Sequence, residues 1–221
     1  MYNVTRPTSG PDCLSSGSNY NQPEVVNALK SVFLEKCYIC ERNAIQDAEI
    51  DHFIPLASGG GRMNWNNLFY SCSRCNGIKS NGHLNILDST SSSVDVFREI
   101  RLKASPTPDN DIVVEASSNT PSNETLNTVR LLEECYNNTS TALRGVSREA
   151  LVEQIFEYMC TFVNARRLLR NPSTGRTNKQ GALETIEAML SSVHPFSAFW
   201  RWQYMDDTYL RTNYPELGCR F

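Results

Sequence analysis

Between residues 37 and 80 the sequence gathers side chains that can hold metals and move protons. Cys37 and Cys40 form one C-x-x-C pair, and Cys72 and Cys75 form a second. Each pair can grip one metal from a tight turn, and four thiolates suit a closed, tetrahedral zinc site. A closed site of this kind is structural, clamping segments that lie far apart in the chain. Between the pairs runs EIDHFIPLASGGGRMNWNNLFYS, residues 49–71. Ile50, Phe53 and Ile54 favour a strand, which Pro55 helps to end. Neighbours on a strand point to opposite faces, so Asp51 and His52 diverge unless a bulge or turn re-aims them. Re-aimed, the pair puts a carboxylate on a metal and an imidazole beside it. A neutral imidazole, with an ordinary pKa of about 6.5, can take a proton from water near neutral pH. Gly59, Gly60 and Gly61 supply a flexible loop, and Leu68 and Phe69 are expected to pack inward. Ser71 or Ser73 is expected to cap a helix carrying Cys75, Asn76 and Lys79. Asn76 and Lys79, three residues apart, share one face of that helix.

The elements around this segment follow from composition and periodicity. At 221 residues, 40% hydrophobic and 20% charged, the chain can bury a real core. Residues 1–22 are rich in Ser, Asn, Pro and Gly and read as extended. Pro23 suits a first helical turn, and Val25, Val26, Leu29, Val32 and Phe33 follow at helical spacing, which predicts a helix over 23–36. Residues 88–93 and 104–123 are polar and turn-rich, so 88–123 reads as a linker or irregular segment, with IVVE as a short strand within it. From 124 onward the pattern is helical. Leu126, Val129, Leu132 and Cys135 share a face; Leu151, Ile155, Tyr158, Met159 and Phe162 form a second stripe; Leu183, Ile186, Met189 and Leu190 form a third. The expected class is α+β, with an arm and helix at 1–36, a metal-organised core at 37–87, the linker, and a helical region at 124–221.

Cys13, Cys135, Cys160 and Cys219 show no ligand spacing, and Cys135 and Cys160 read as buried thiols. His83 reads as a surface or core histidine. Arg166, Arg167, Arg170, Arg176 and Lys179 occur with no acidic residue among them. They are the best candidate for a phosphate-contacting patch, set against the tendency of arginines to gather at a helix C-terminus. Phe196, Phe199, Trp200 and Tyr204 share one side of a helix and are expected in the core. No apolar run is long enough to span a bilayer and no secretory signal is visible. The asparagines of the N-x-S/T sequons at 3, 123, 137 and 138 therefore carry little weight, and a cytoplasmic bacterial location is the expectation. Net charge is −3. A protein that grips long nucleic acid alone usually has a basic surplus, so local patches or a partner are expected to supply the grip.

The combination CYIC, DHFIPLASGG, NNL and CSRCNGIK resembles the HNH endonucleases of the ββα-metal type with a four-cysteine zinc site. The resemblance covers residues 37–80. It implies a catalytic divalent ion, Mg²⁺ or Mn²⁺, held by Asp51 and Asn76, and His52 as the base that activates water. It implies that Asn67 holds the loop and helps to position His52. Position 76 is histidine in many members, with asparagine as a variant. Lys79 matches a basic residue often found after the motif, and joins Arg166, Arg167 and Arg170 of the charge pattern as a candidate nucleic-acid contact. The layout of the whole chain also resembles PtuB-type HNH subunits of Septu and retron-associated antiphage systems. That resemblance implies a PtuA-like ABC/SMC-type ATPase oligomer as partner, and in some systems a retron reverse transcriptase with its RNA–DNA product. Two other readings remain: a free-standing HNH restriction or mobile-element endonuclease, and a zinc-ribbon binding module without catalysis.

Overall fold

The computed structural model describes residues 1–15, 17 and 19–221, with the backbone alone at 220. The fold is α+β. Helix α1, Pro23–Val32, starts on Pro23 at its first position and buries Val25 and Leu29. It is shorter than the expected 23–36, because Leu34 and Glu35 take positive φ values of 53° and 61°. That left-handed turn reverses the chain into the first cysteine pair. Strand β1, Ala48–His52, pairs antiparallel with β2, Leu68–Cys72, in a register that runs from Ala48 opposite Cys72 to His52 opposite Leu68. The short helix α2, Ser73–Lys79, follows β2 directly. No serine caps it: Cys72 occupies the cap, while the Ser73 hydroxyl bonds the Asp47 carboxylate instead. Every residue of β2 is buried, so the ββα unit is built around its second strand.

The stretch expected as a linker is packed. Helix α3, Val96–Glu99, leads into β3, Ile100–Lys103, which pairs antiparallel with β4, Val113–Ala116. Val96, Phe97, Ile100, Leu102, Ile112 and Val114 are buried there. Alternation along β3 puts Ile100 and Leu102 inward and Arg101 and Lys103 outward, a half-buried pattern too short to stand out among polar neighbours.

Helices α4, Asn123–Asn137, α5, Arg148–Arg170, α6, Arg176–Leu190, α7, Ser197–Asp206, and α8, Thr208–Asn213, complete the chain. The side chains of Ser122, Ser147 and Asp207 accept from backbone amides in the first turns of α4, α5 and α8, which satisfies donors the helices leave orphaned. The three stripes face the core, except that Leu126 is exposed. Cys160 is exposed, not buried; it lies off the face that holds Ile155 and Phe162. Phe196, Phe199, Trp200 and Tyr204 are all buried, with Phe162 stacked on Trp200. Apolar side chains from the arm to the last helices meet in one core cluster.

The extended arm is tied down along its length, with residues 16 and 18 lying outside the described residues. Arg6 donates to the carbonyls of Trp65 and Leu68 at 2.7 and 2.9 Å, and the Trp65 indole donates to the Pro7 carbonyl. Gly10 lies so close to the Trp65 ring that a Cβ would come within 2.7 Å of it.

One buried polar knot joins the ββα unit to α7. Glu41 Oε2 accepts from the Ser197 hydroxyl at 2.8 Å, and Lys36 Nζ lies 3.5 Å from the same oxygen and 3.0 Å from the His194 carbonyl. Lys36 and Glu41 are fully buried. Burial alone would push the Glu41 carboxyl up, but the Met1 ammonium and Lys36 hold it down, from an ordinary 4.5 to about 2. Because the folded value is depressed, its stabilisation is present above about pH 4.5 and is lost as pH falls toward 2. At pH 7, Glu41→Ala is expected to cost about 3–5 kcal/mol in urea melts, since it strands a buried cation. Lys30→Ala, which breaks the exposed pair with Glu35, is expected to cost at most about 1 kcal/mol.

Candidate functional site

The four cysteines converge. Cys37, Cys40, Cys72 and Cys75 are fully buried, and their four sulfurs lie within 4.8 Å of one another. The Cys40 and Cys72 sulfurs are 3.9 Å apart. Tetrahedral zinc with Zn–S bonds of 2.3 Å requires sulfurs about 3.8 Å apart, so the donor set fits zinc in both type and spacing. Among the described residues, this is the only group of three or more His, Cys, Asp or Glu side chains with ligand atoms gathered in this way. The first pair sits in the turn after α1, and the second spans the β2–α2 junction.

Beside this cluster a cleft of about 570 Å³ is lined by Tyr20, Asp51, His52, Asn76, Asn81 and Arg144, among others. The β1 ladder runs unbroken through His52, so no bulge re-aims the Asp–His pair, and the chain bends just afterwards, at 53–54. Asp51 is 5% exposed. Its Oδ2 accepts from the Tyr38 hydroxyl at 2.5 Å and lies 3.1 Å from Lys79 Nζ. Burial pushes the Asp51 carboxyl up, and Lys79 and Tyr38 oppose that shift.

His52 Nε2 lies 3.1 Å from the Arg62 carbonyl oxygen. A carbonyl only accepts, so Nε2 carries the proton and Nδ1 keeps the basic lone pair. Tyr20, from the arm, packs edge-on against the imidazole with ring centroids 4.7 Å apart. Asn67 does not bond His52 itself. Its Oδ1 accepts from the Ile54 amide at 2.7 Å, and its Nδ2 donates to the carbonyls of Ile54 and Gly61 at 3.0 and 3.3 Å. Asn67 thus staples the loop 54–61, and the next residue, Arg62, presents its carbonyl to His52. A Cβ on Gly60 would sit 1.9 Å from the Ile54 carbonyl oxygen, so the staple closes only around glycine.

Two residues, Arg144 in the cleft and Glu49 in a recess next to it, carried no signal in the local motif. Glu49 accepts from Asn76 Nδ2 and pairs with Arg144 at 3.3 Å. Arg144 comes from the loop between α4 and α5. Gly145 seats that loop: its φ is 82°, and a Cβ there would meet Asp47 and Ser73 oxygens at 2.4 Å. The segment had no cue but its glycine, because the partner lies far away in sequence.

The expected nucleic-acid contacts fare differently. Lys79 is fully buried, and its ammonium bonds Asp51 and the His52 carbonyl, at 2.9 Å for the latter. It lies one turn after Cys75, whose burial draws that helix face against β1. It is therefore a structural partner of the Asp–His pair and not a surface contact. Arg166 forms a 2.5 Å ion pair with Asp207, and Arg170 stacks over Tyr209. Arg167 and Arg170 are exposed. The acidic residue absent from the local run is thus supplied by Asp207, the C-cap of α7. His83 is mostly buried and lies 3.4 Å from Glu134.

Residues 37–82 match the HNH endonuclease family model. The matched stretch contains the four cysteines, the ββα unit and all of Asp51, His52, Asn67 and Asn76. It covers well under half of the chain, and points to a nuclease acting on nucleic acid. No curated protein and no solved structure matches the chain. No helix in the described residues is long and apolar enough to cross a membrane.

The donor set yields a direct test. Purified protein is expected to hold one zinc per chain by atomic emission. Cys72→Ser or Cys37→Ser is expected to lose that zinc and the cooperative thermal transition together, because the cluster forms the core of the unit.

Proposed function

We propose that this chain is a metal-dependent HNH nuclease that hydrolyses nucleic-acid phosphodiesters. The observation that carries this reading is the single cleft onto which Asp51, His52 and Asn76 open, inside the stretch that matches the HNH endonuclease model. The side-chain oxygens of Asp51 and Asn76 suit a hard divalent ion, Mg²⁺ or Mn²⁺. Such an ion, when bound, stabilises charge on the phosphate and on the departing 3′ oxygen. His52, with Nε2–H committed to the Arg62 carbonyl, accepts the proton of the attacking water at Nδ1. Asn67 holds that carbonyl in place through the loop. Tyr20 restricts the swing of the imidazole. Arg144 offers a largely exposed guanidinium at the cleft, suited to a substrate phosphate. The four thiolates hold zinc away from substrate and keep the unit folded.

The finer reading is that the chain is the effector subunit of a bacterial antiphage complex. Its partner would be an ABC/SMC-type ATPase oligomer of the PtuA kind, in some systems with a retron reverse transcriptase and its RNA–DNA product. The layout of the chain supports this, and so does its charge. At −3 it has no cationic surplus, and Arg166 is already neutralised by Asp207. A partner that grips the nucleic acid supplies what the chain lacks.

His52→Ala is expected to lower Mg²⁺-dependent cleavage by about 10²-fold or more, with zinc content unchanged. Wild-type activity in that variant would falsify the assignment. Arg144→Ala is expected to raise KM for nucleic acid by about tenfold, the loss of one charge-assisted contact. Co-purification with the products of neighbouring genes, followed by the same assay, addresses the partner. Equal activity of the lone chain and the complex would remove the case for partner loading.

A further inference from the structure

Glu49 lies outside the residues that the HNH resemblance assigns, yet it touches one of them. It stands two positions before Asp51 on β1, so the two carboxylates leave the same face of the strand. Glu49 and Asn76 line a recess together with Tyr20 and Asn21, and Asn76 also faces the main cleft. Glu49 Oε2 takes the hydrogen bond from Asn76 Nδ2, and Oε1 takes the ion pair with Arg144.

An asparagine amide has two ends of nearly equal shape, and only its partners decide which end points where. The NH₂ end repels a cation; the oxygen end binds one. An ionised carboxylate can only accept, so it holds the NH₂ end and rejects the oxygen. Among the described residues no donor bonds Asn76 Oδ1. We infer that Glu49 is a positioning residue that fixes the Asn76 amide with its oxygen toward the catalytic ion. This rests on the nuclease reading above and adds the reason an asparagine serves at position 76. A metal-binding histidine is usually oriented by a carboxylate that takes its other N–H. Glu49 performs the same service for an amide, for which the wrong orientation is worse, since it turns a ligand into a repulsive donor.

The test is Mn²⁺ affinity of the full, zinc-loaded chain, read by electron paramagnetic resonance, alongside nucleic-acid cleavage. Asn76→Ala and Glu49→Ala are each expected to weaken Mn²⁺ by about 10- to 100-fold, with zinc retained. The double variant is expected to be no weaker than Asn76→Ala alone, because Glu49 acts only through the amide. Glu49→Gln keeps the size but accepts either amide end, so an intermediate loss is expected; it also carries the test if Glu49→Ala fails to fold. Losses that multiply in the double variant overturn the inference, for Glu49 then binds the ion itself. Unchanged affinity in Glu49→Ala and Glu49→Gln overturns it as well. In both cases a wild-type chain that takes up Mn²⁺ and cuts leaves the nuclease reading standing. A wild-type chain that takes up no exchangeable Mn²⁺ and cuts nothing overturns both.

Discussion

Four sulfurs meeting at one point form the constraint on which the rest of the molecule hangs. The residues beside them are spent on fixing everything else. Tyr38, between Cys37 and Cys40, reaches Asp51. Arg74, between Cys72 and Cys75, is almost fully buried and donates to the Cys135 and Asn138 carbonyls at the end of α4. There it satisfies acceptors that a helix C-terminus leaves open. Glu41, just past Cys40, enters the knot with Ser197 at the start of α7. A closed metal site therefore sets three distances at once: to the cleft, to α4 and to α7. A hydrophobic contact would tolerate sliding; buried charges with fixed partners do not.

The cleft inherits its geometry from that scaffold in two steps. Cys75 commits α2 to lie against β1, and one turn later Lys79 meets Asp51 and the His52 carbonyl. A carboxylate and an ammonium buried together are costly to separate, because either left alone is an uncompensated charge. The pair therefore holds the strand end rigidly where His52 emerges. From the other side the Asn67 staple and Gly60 fix the loop that delivers the Arg62 carbonyl. The imidazole is thus held by its own strand and by a carbonyl, which sets its tautomer. If His52 is the base of the proposed reaction, preorganisation of this kind spares that reaction the cost of orienting it.

The sequence made some of this legible and hid the rest for identifiable reasons. The cysteine spacing is legible because ligand pairs must sit close together in the chain. The stripe of α5 is legible because 23 residues average out exceptions. Asp51, His52, Asn67 and Asn76 stand out by type within one short stretch, and the structure sets them around one cleft and its loop. Lys79 looked like a surface cation because lysine usually is one; its burial follows from a partner 28 residues back. Arg166 looked free because its acid is 41 residues ahead. Of the hairpin β3–β4, β4 was legible in IVVE, while β3 was masked as a strand of four residues next to serines and prolines. Glu49 and Arg144 were invisible for the same reason as Arg166: a local pattern records spacing, and their role depends on what a distant loop brings to them.

These pairings also bear on how an acidic chain attracts a polyanion. Around the cleft, Asp51 is matched by Lys79 and Glu49 by Arg144, so carboxylates and cations balance in the protein alone. Local potential near such matched pairs is weak, and exposed ones are screened further by salt. In the nuclease proposed above, phosphate affinity at that surface would therefore depend on the charge of a bound divalent ion more than on side chains. A cleft that is neutral without such an ion would not hold nucleic acid indiscriminately. Placing Arg144 on a loop seated by Gly145, rather than inside the ββα unit, adds a second condition: its guanidinium is available to substrate only to the extent that it leaves Glu49. Since Glu49 also holds Asn76, the substrate grip and the metal ligand of the proposed nuclease would draw on one carboxylate. In that proposal, release of Arg144 toward a phosphate would leave the carboxylate undivided for the Asn76 amide, so substrate capture and ligand orientation would reinforce each other instead of competing.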